Sequence, residues 1–352
     1  SIGAFIGCVS GKDPFKPSGK KTCTKLSMKV KINWKGRKQK FYNLTKLQFH
    51  SQNSDPSQMH ERLGYWFFRR MGVPAPRSVH AKLMINDEYL GLFALTEQID
   101  DNFVRYNFDE SNGNLYKEVW PITEKGGPQN EKALLKGLKT NEKSSPNFEL
   151  IKRFGVLIAA SDSVESRKVF SDYMNLDQMV SYAVVDRAIR NDDGVLHWYT
   201  DFKGSSNHNY YWYEEPVKKK IHLIPWDLDN AFENLTATNP VTFIPDKWGE
   251  ISNDCKPYPY GEWEIWQRSA SCDKIIKTWS SYKKDYKRLQ NKLSDAYLDE
   301  ASELIDEWSI QIKEATKEAS QMHDDALSIK KWERHISILK AQIFRMKMTL
   351  IN

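Results

Sequence analysis

Apolar residues recur at two spacings along this chain, and the spacings divide it into elements. Leu26, Met28, Val30, Ile32 and Trp34 alternate with polar residues, most of them lysines, which is the period of a half-buried strand with a lysine-covered outer face. Met59, Leu63, Trp66 and Phe67 fall at helical spacing. Asp55-Pro56 supplies an N-cap acid and a first-turn proline, and Gly72 and Pro74 stop the run, so a helix is predicted over 56–71. Leu176, Met179, Val180, Ala183 and Val184 mark another helix, with Asn175 as its N-cap. It runs into Asn191-Asp192-Asp193-Gly194, a loop signal. The aromatic-rich NYYWYEE (Asn209–Glu215) and the apolar IHLIPW (Ile221–Trp226) flank a polar turn of Pro216 and Lys218–Lys220, which reads as a β-hairpin. Thr123–Asn147, rich in Gly, Lys, Asn and Ser, reads as a mobile loop or lobe connection. Towards the end, Leu298, Ala301, Leu304, Ile305, Trp308 and Ile312 make one helical stripe, and Trp332, Ile336, Leu339 and Ile343 make another, both suited to packing on their own domain.

The apolar run IHLIPW ends in Asp227 and Asp229, with Leu228 between them. Side chains two apart on an extended backbone point the same way, so the carboxylates converge if the strand continues. Such a pair is costly unless a cation or a proton separates it. Hard oxygen ligands at the end of a buried strand suit magnesium, which takes one or two carboxylates plus substrate phosphates. The plain alternative is a solvated turn after a core strand. Upstream, the order is helix, acidic loop, Asn209, hairpin, then the acidic pair. Phosphoryl transfer needs an Asp near the acceptor hydroxyl, and an Asn with a second Asp to hold magnesium against the phosphates.

Several segments carry a family resemblance in the right order. They are Leu47–Arg77 (an Asp-Pro, an amphipathic helix and Gly-Val-Pro-Ala-Pro-Arg), Val79–Ile99, Gly113–Lys117, Asn191–Gly194, Asn209–Tyr213 and Pro225–Asp229. Together they resemble the CotH family of spore-coat proteins, which are atypical protein kinases. The resemblance implies that Asp193 orients or deprotonates the acceptor hydroxyl and that Asp227 binds the metal, with Asn209 on magnesium and Asp229 assisting. It implies Lys117 as the cation on the nucleotide phosphates with Glu97 as its orienting partner, Lys82 as a rival lysine, and Trp226 beside the nucleotide. The chain departs from the family at Asp192, where the family has Trp, so Asp192 competes with Asp193 for the base role. It also inserts Leu196–Asn207 ahead of Asn209, either as a substrate-facing loop or as a surface excursion.

Length and composition agree with this picture. A chain of 352 residues with 12 Trp, 16 Tyr and 16 Phe can bury a large core and exceeds the usual size of a single lobe. No apolar run approaches the roughly 18 residues of a membrane helix. The formal charge is +6, of which Lys12–Lys46 carries +11, leaving −5 elsewhere. That basic segment could meet an anionic partner, but its period-two pattern reads as a solvated sheet face, and nothing else supports nucleic acid. Cys8/Cys23 and Cys255/Cys272 are close pairs that could close short loops in an oxidising compartment, the alternative being free thiols. Asn43-Leu44-Thr45 and Asn234-Leu235-Thr236 are glycosylation sequons. These features lean towards an exported protein, secreted or coat-associated.

The expected fold is α+β, bilobal and kinase-like, with residues 1–120 as a small β-rich lobe and 121–352 as a larger, mainly helical lobe. The expected function is ATP- and Mg2+-dependent phosphorylation (Mn2+ as the alternative cation) of Ser or Thr hydroxyls on a protein. One competing reading is a non-catalytic adhesion module using surface aromatics such as Trp198 and Trp248. Another keeps the nucleotide and transfers a different group, such as a nucleotidyl.

Overall fold

The computed structural model describes residues 23–36, 38–144, 146–202, 204–232, 254–260 and 265–351. The chain opens with β1 (Met28–Lys31), β2 (Lys46–His50), α1 (His60–Arg70), β3 (Ser78–Ile85) and β4 (Glu88–Thr96). Then come α2 (Asp101–Asn107), β5 (Leu115–Lys117), α3 (Glu131–Gly137), α4 (Glu149–Ala160), α5 (Ser163–Tyr173) and α6 (Leu176–Ala188). Short strands follow: β6 (Trp198–Asp201), β7 (Gly204–Ser206), β8 (Tyr210–Glu215), β9 (Lys220–Pro225), β10 (Tyr258–Tyr260) and β11 (Ile265–Arg268). The chain closes with α7 (Lys274–Ser280), α8 (Lys283–Met322) and α9 (Ile329–Ile351). The strands form three antiparallel sheets, in the orders β1-β2-β4-β3, β5-β8-β9 and β10-β11-β6-β7. The fold is mixed α+β.

The hairpin expected from NYYWYEE and IHLIPW forms, in the register Tyr211↔Ile224 and Tyr213↔His222. Strand alternation sends its two faces to different places. Tyr210, Trp212 and Leu223 join the main apolar cluster, which also takes Leu63 and Phe67 of α1, Val184 of α6, Ile305 of α8 and Leu339 of α9. Tyr211, Tyr213, Ile224 and Trp226 pack instead with Phe103 and Phe108. The two carboxy-terminal stripes pack into the main cluster, as expected. Asn175 caps α6, its side chain accepting from the Gln178 amide at 3.1 Å.

Several expectations change. α1 begins at His60, not at residue 56, because Gln58 adopts a left-handed φ of 63°. Asp55 instead organises the preceding turn, accepting from the amides of Gln58 (3.0 Å) and His60 (2.7 Å). Within Thr123–Asn147, good helix formers build α3, and Asn130 caps it from the Ala133 amide at 3.0 Å. Lys29 and Lys31 of β1 are exposed, as expected, but the alternating apolar positions are not all buried. Lys29 lies opposite Gln48, which is only 6% exposed, whereas Val30 is 38% exposed and Trp34 60%. Trp198 is buried and is not a surface aromatic. Cys255 and Cys272 form a disulfide. The expectations at Cys8–Cys23, Asn234-Leu235-Thr236 and Trp248 lie outside the described residues. β5 shares a sheet with β8 and β9. Among the described residues no helix is long and apolar enough to cross a membrane.

Candidate active site

The loop after α6 and the turns flanking the β8–β9 hairpin meet at Asp193. Four side chains donate to its carboxylate. They are His208 Nε2 and the Tyr199 hydroxyl (3.2 Å) on Oδ1, and Asn209 Nδ2 (3.1 Å) and Asn230 Nδ2 (3.0 Å) on Oδ2. Burial works against ionisation here. The hydrogen bond and charge of His208, with the bonds from Asn230 and Tyr199, nevertheless hold Asp193 below the usual carboxylate range. Asp192 turns away. It is buried beside His197 Nε2 (3.3 Å) and Arg187 Nη1 (3.9 Å), so the two adjacent acids have separate surroundings.

Asn209 connects the parts. Its Nδ2 also reaches the Asp193 carbonyl at 2.8 Å, its own carbonyl accepts from the Trp226 amide at 3.1 Å, and its amide donates to Glu118 Oε1 at 3.3 Å. Asn209 and Asp227 both hold left-handed backbones, with φ of 63° and 54°. β9 ends at Pro225, so strand alternation does not aim Asp227 and Asp229. A turn does, and tertiary contacts fix it. The Tyr65 hydroxyl of α1 accepts from the Asp227 amide at 3.0 Å, and His60 Nδ1 lies 2.9 Å from the Asp229 carbonyl. Leu228 is fully buried against Gly64, where an added Cβ would come within 2.8 Å of Leu228 Cδ1.

The carboxyls below this turn crowd one another. Burial, then the charge of Glu61, pushes Asp227 up to about 6, with His50 acting in the opposite sense. Burial and the charges of Asp227 and Glu61 raise Asp229 well above the usual range. Potential ligand atoms of His50, Glu61 and Asp227 all lie within 4.8 Å of one another. His50 Nδ1 is already 2.7 Å from Glu61 Oε2, and burial opposes its charge. The charge and hydrogen bond of Glu61 nevertheless raise its pKa above the ordinary imidazole value. The carboxylates of Glu61, Asp227 and Asp229 are hard oxygen donors with surplus negative charge, and a divalent cation fits them.

The residues expected at the nucleotide part company. Lys117 Nζ stands 3.8 Å from Glu118 and 5.9 Å from the Tyr211 ring centre, and its charge acts on Asp227. Trp226 is buried edge-on between His50 (5.4 Å) and Tyr211 (5.7 Å). Glu97 pairs with Arg77 at 2.6 Å and so does not orient Lys117, and the rival Lys82 is paired with Glu318 of α8 at 2.5 Å. The insertion folds as the β6–β7 hairpin. It supplies Tyr199 to Asp193 and helps to wall a cleft of about 570 Å³, whose lining includes Lys117, Glu118, Lys136, Trp198 and Asn207. Sequence reading passed over the roles of His50, Glu61, Glu118, Tyr199, His208 and Asn230. The faint signals were a polar Glu61 beside the apolar stripe of α1 and His208 adjoining Asn209.

A family model described as CotH kinase protein matches residues 15–347. Among solved structures, the chain is similar to one from Shewanella oneidensis MR-1, a toxin–antitoxin complex of HipA, HipB and operator DNA. The identity is 12% over 96% of this chain and 67% of that one, with a TM-score of 0.32, too loose to argue from. No curated protein matches the sequence.

Proposed function

The chain belongs to the CotH kinase family, and from that premise we propose that it transfers the γ-phosphoryl group of a nucleoside triphosphate, ATP, to a Ser or Thr hydroxyl of a protein. The observation that carries this reading is the meeting of Asp193, Asn209 and the Asp227–Asn230 turn, with an ionised, four-donor carboxylate beside a crowded acidic pair. In the two-lobed reading, the sheet β1–β4 would belong to the smaller lobe and the helices α4–α9 to the larger one.

Asp227 and Asp229, with the Asn209 amide oxygen, would hold Mg2+ or Mn2+. The bound cation would neutralise negative charge on the phosphates. Asp193 does the work at the acceptor. Its low pKa keeps it ionised, so it can accept a hydrogen bond from the incoming hydroxyl and align it. The new O–P bond forms as the bridging bond to the β-phosphate breaks, ADP leaves, and the hydroxyl proton passes to Asp193. His208, Tyr199, Asn209 and Asn230 keep that carboxylate from rotating, so positioning supplies much of the acceleration. Lys117, whose Nζ lies over the Tyr211 ring at 5.9 Å, would supply positive charge to the phosphates. The Cys255–Cys272 disulfide supports a secreted or coat-associated location.

The test is label transfer from γ-labelled ATP to a Ser- and Thr-bearing protein, with and without Mg2+ or Mn2+. Cation-dependent incorporation that Asp193→Asn abolishes would support the assignment. Mass spectrometry showing an added nucleotide would replace it with nucleotidyl transfer. Absence of both incorporation and a Mg–ATP thermal shift would favour a non-catalytic module.

A further inference from the structure

The first sheet turns a basic, partly unpaired face towards the acidic cluster. In the β1–β2 register Lys29 lies opposite Gln48 and Lys31 opposite Lys46, and the β2–β4 register sets Gln48 opposite Thr96. Residues facing one another across strands share a side of the sheet, as do residues two apart. Lys29, Lys46, Gln48, His50 and Thr96 therefore share one face. Two of them show where it points. His50 Nδ1 meets Glu61 at 2.7 Å, and the Thr96 hydroxyl reaches Glu61 at 3.3 Å, with Asp227 in the same cluster.

This face is short of acceptors. Among the described residues no carboxylate lies within ion-pairing distance of Lys29 or Lys46, and Lys117 has only Glu118 at 3.8 Å. Burial, then the charge of Lys46, lowers the Lys29 pKa, with Asp100 opposing and Lys117 adding to the repulsion. Gln48 is 6% exposed, and its buried Nε2 has no hydrogen-bond partner. A buried donor without an acceptor is left able to bond a ligand oxygen. Lys117 lies over the Tyr211 ring, which packs on Trp226, and the acidic turn at Asp227 follows.

We propose that Lys29, Lys46 and Gln48, together with Lys117, form a roof that grips the phosphate chain of the nucleotide. This inference rests on the phosphotransfer reading and deepens it. The sign pattern selects the ligand. A bare anion or an acidic peptide would suit the lysines but be repelled by Asp227 and Asp229. A metal–polyphosphate satisfies both sides at once, its oxygens towards the lysines and Gln48 Nε2, its cation towards the carboxylates. Lys29 and Lys46 lie outside the catalytic loop and hairpin and act through the phosphates.

Calorimetric titration of the whole chain tests this, using Mg–ATP, Mg–tripolyphosphate and adenosine as separate probes. Lys29→Met and Lys46→Met should each weaken Mg–ATP and Mg–tripolyphosphate by about tenfold and leave adenosine unchanged, and Lys46→Arg should keep part of the affinity that Lys46→Met loses. Gln48→Met should weaken tripolyphosphate several-fold. Lys284→Met, on the exposed start of α8, is the charge-matched control and should bind as the unaltered chain does. If Lys46→Met melts early, the exposed Lys29→Met decides alone. Unaltered binding of Mg–ATP and tripolyphosphate by these variants would overturn the roof while leaving the phosphotransfer reading intact. An unaltered chain that binds neither probe would overturn both. Metal-independent binding of a poly-glutamate peptide, weakened equally by the variants, would overturn the roof in favour of acceptor docking.

Discussion

Tyr199→Phe asks whether the inserted hairpin belongs to the chemistry. The hydroxyl donates to the Asp192 carbonyl at 2.6 Å and reaches Asp193 Oδ1 at 3.2 Å. The ring stacks on His208 with centroids 4.9 Å apart and planes 2° from parallel, and the substitution keeps that stack. Only the hydrogen bonds go. A bond to a charged group contributes about 1.5–3 kcal/mol. Here the carboxylate keeps its bonds from His208, Asn209 and Asn230, so the lower end applies. About 1–1.5 kcal/mol lost in the transition state is roughly a 5- to 10-fold fall in single-turnover phosphotransfer. Affinity for Mg–ATP should stay the same, because the hydroxyl touches the acceptor-side carboxylate. Asp193→Asn should lose at least about a hundredfold in the same assay with the fold preserved. Full activity of Tyr199→Phe beside an inactive Asp193→Asn would reduce the hairpin to a surface excursion. Undiminished transfer by Asp193→Asn would remove that carboxylate from the mechanism.

Asp227→Asn should abolish the thermal shift given by Mg–ATP and cut phosphotransfer at least about a hundredfold, while circular dichroism stays native. Retained metal-dependent stabilisation would place the cation elsewhere. Glu214 gives a pH dependence unrelated to catalysis, since burial pushes its carboxyl up to about 7 against the bonds from the Ile151 amide and the Tyr116 hydroxyl. The folded state therefore holds this proton more tightly than the unfolded chain. The associated stability is present below the ordinary value of 4.5 and is lost as pH rises through about 7. Glu214→Gln should flatten that decline, by up to about 3 kcal/mol at pH 8 in denaturant titrations, and an unchanged slope would refute the assignment. Cys255→Ser should cost about 3 kcal/mol for a loop with a sequence separation of 17, visible as a lower urea midpoint; an unchanged midpoint would show the bond stabilises nothing.

What the sequence made legible was local. The cap at Asn175, the two final stripes and the hairpin follow from periodicity and turn chemistry, and the structure keeps them. What it hid depends on contacts between distant segments. Alternation aims Asp227 and Asp229 only if the strand continues, yet the Tyr65 hydroxyl and the close approach of Leu228 to Gly64 bend the chain into a left-handed turn. The lysine pattern of β1 was visible, but which side faces inward is a matter of register with β2. Glu97 carries the right charge to orient a lysine, and Arg77 takes it at 2.6 Å because the start of β3 lies beside the end of β4. Partner choice of this kind has no signature in spacing.

The acids of the site are told apart by what surrounds them, and this is the strongest reason to give them different tasks. Asp193 sits among four donors and stays ionised despite burial, which suits a group that must accept a hydrogen bond from an incoming hydroxyl. Asp227 and Asp229 sit among acids and are unstable as anions, which suits groups that await a cation. One fold thus pushes neighbouring carboxyls in opposite directions, the arrangement by which active sites assign roles to chemically identical groups. Asp192 shares neither environment. Its carboxylate lies beside His197 and Arg187, away from the donors that surround Asp193. Replacing it would act on the position of Asp193 and leave the choice of reaction untouched.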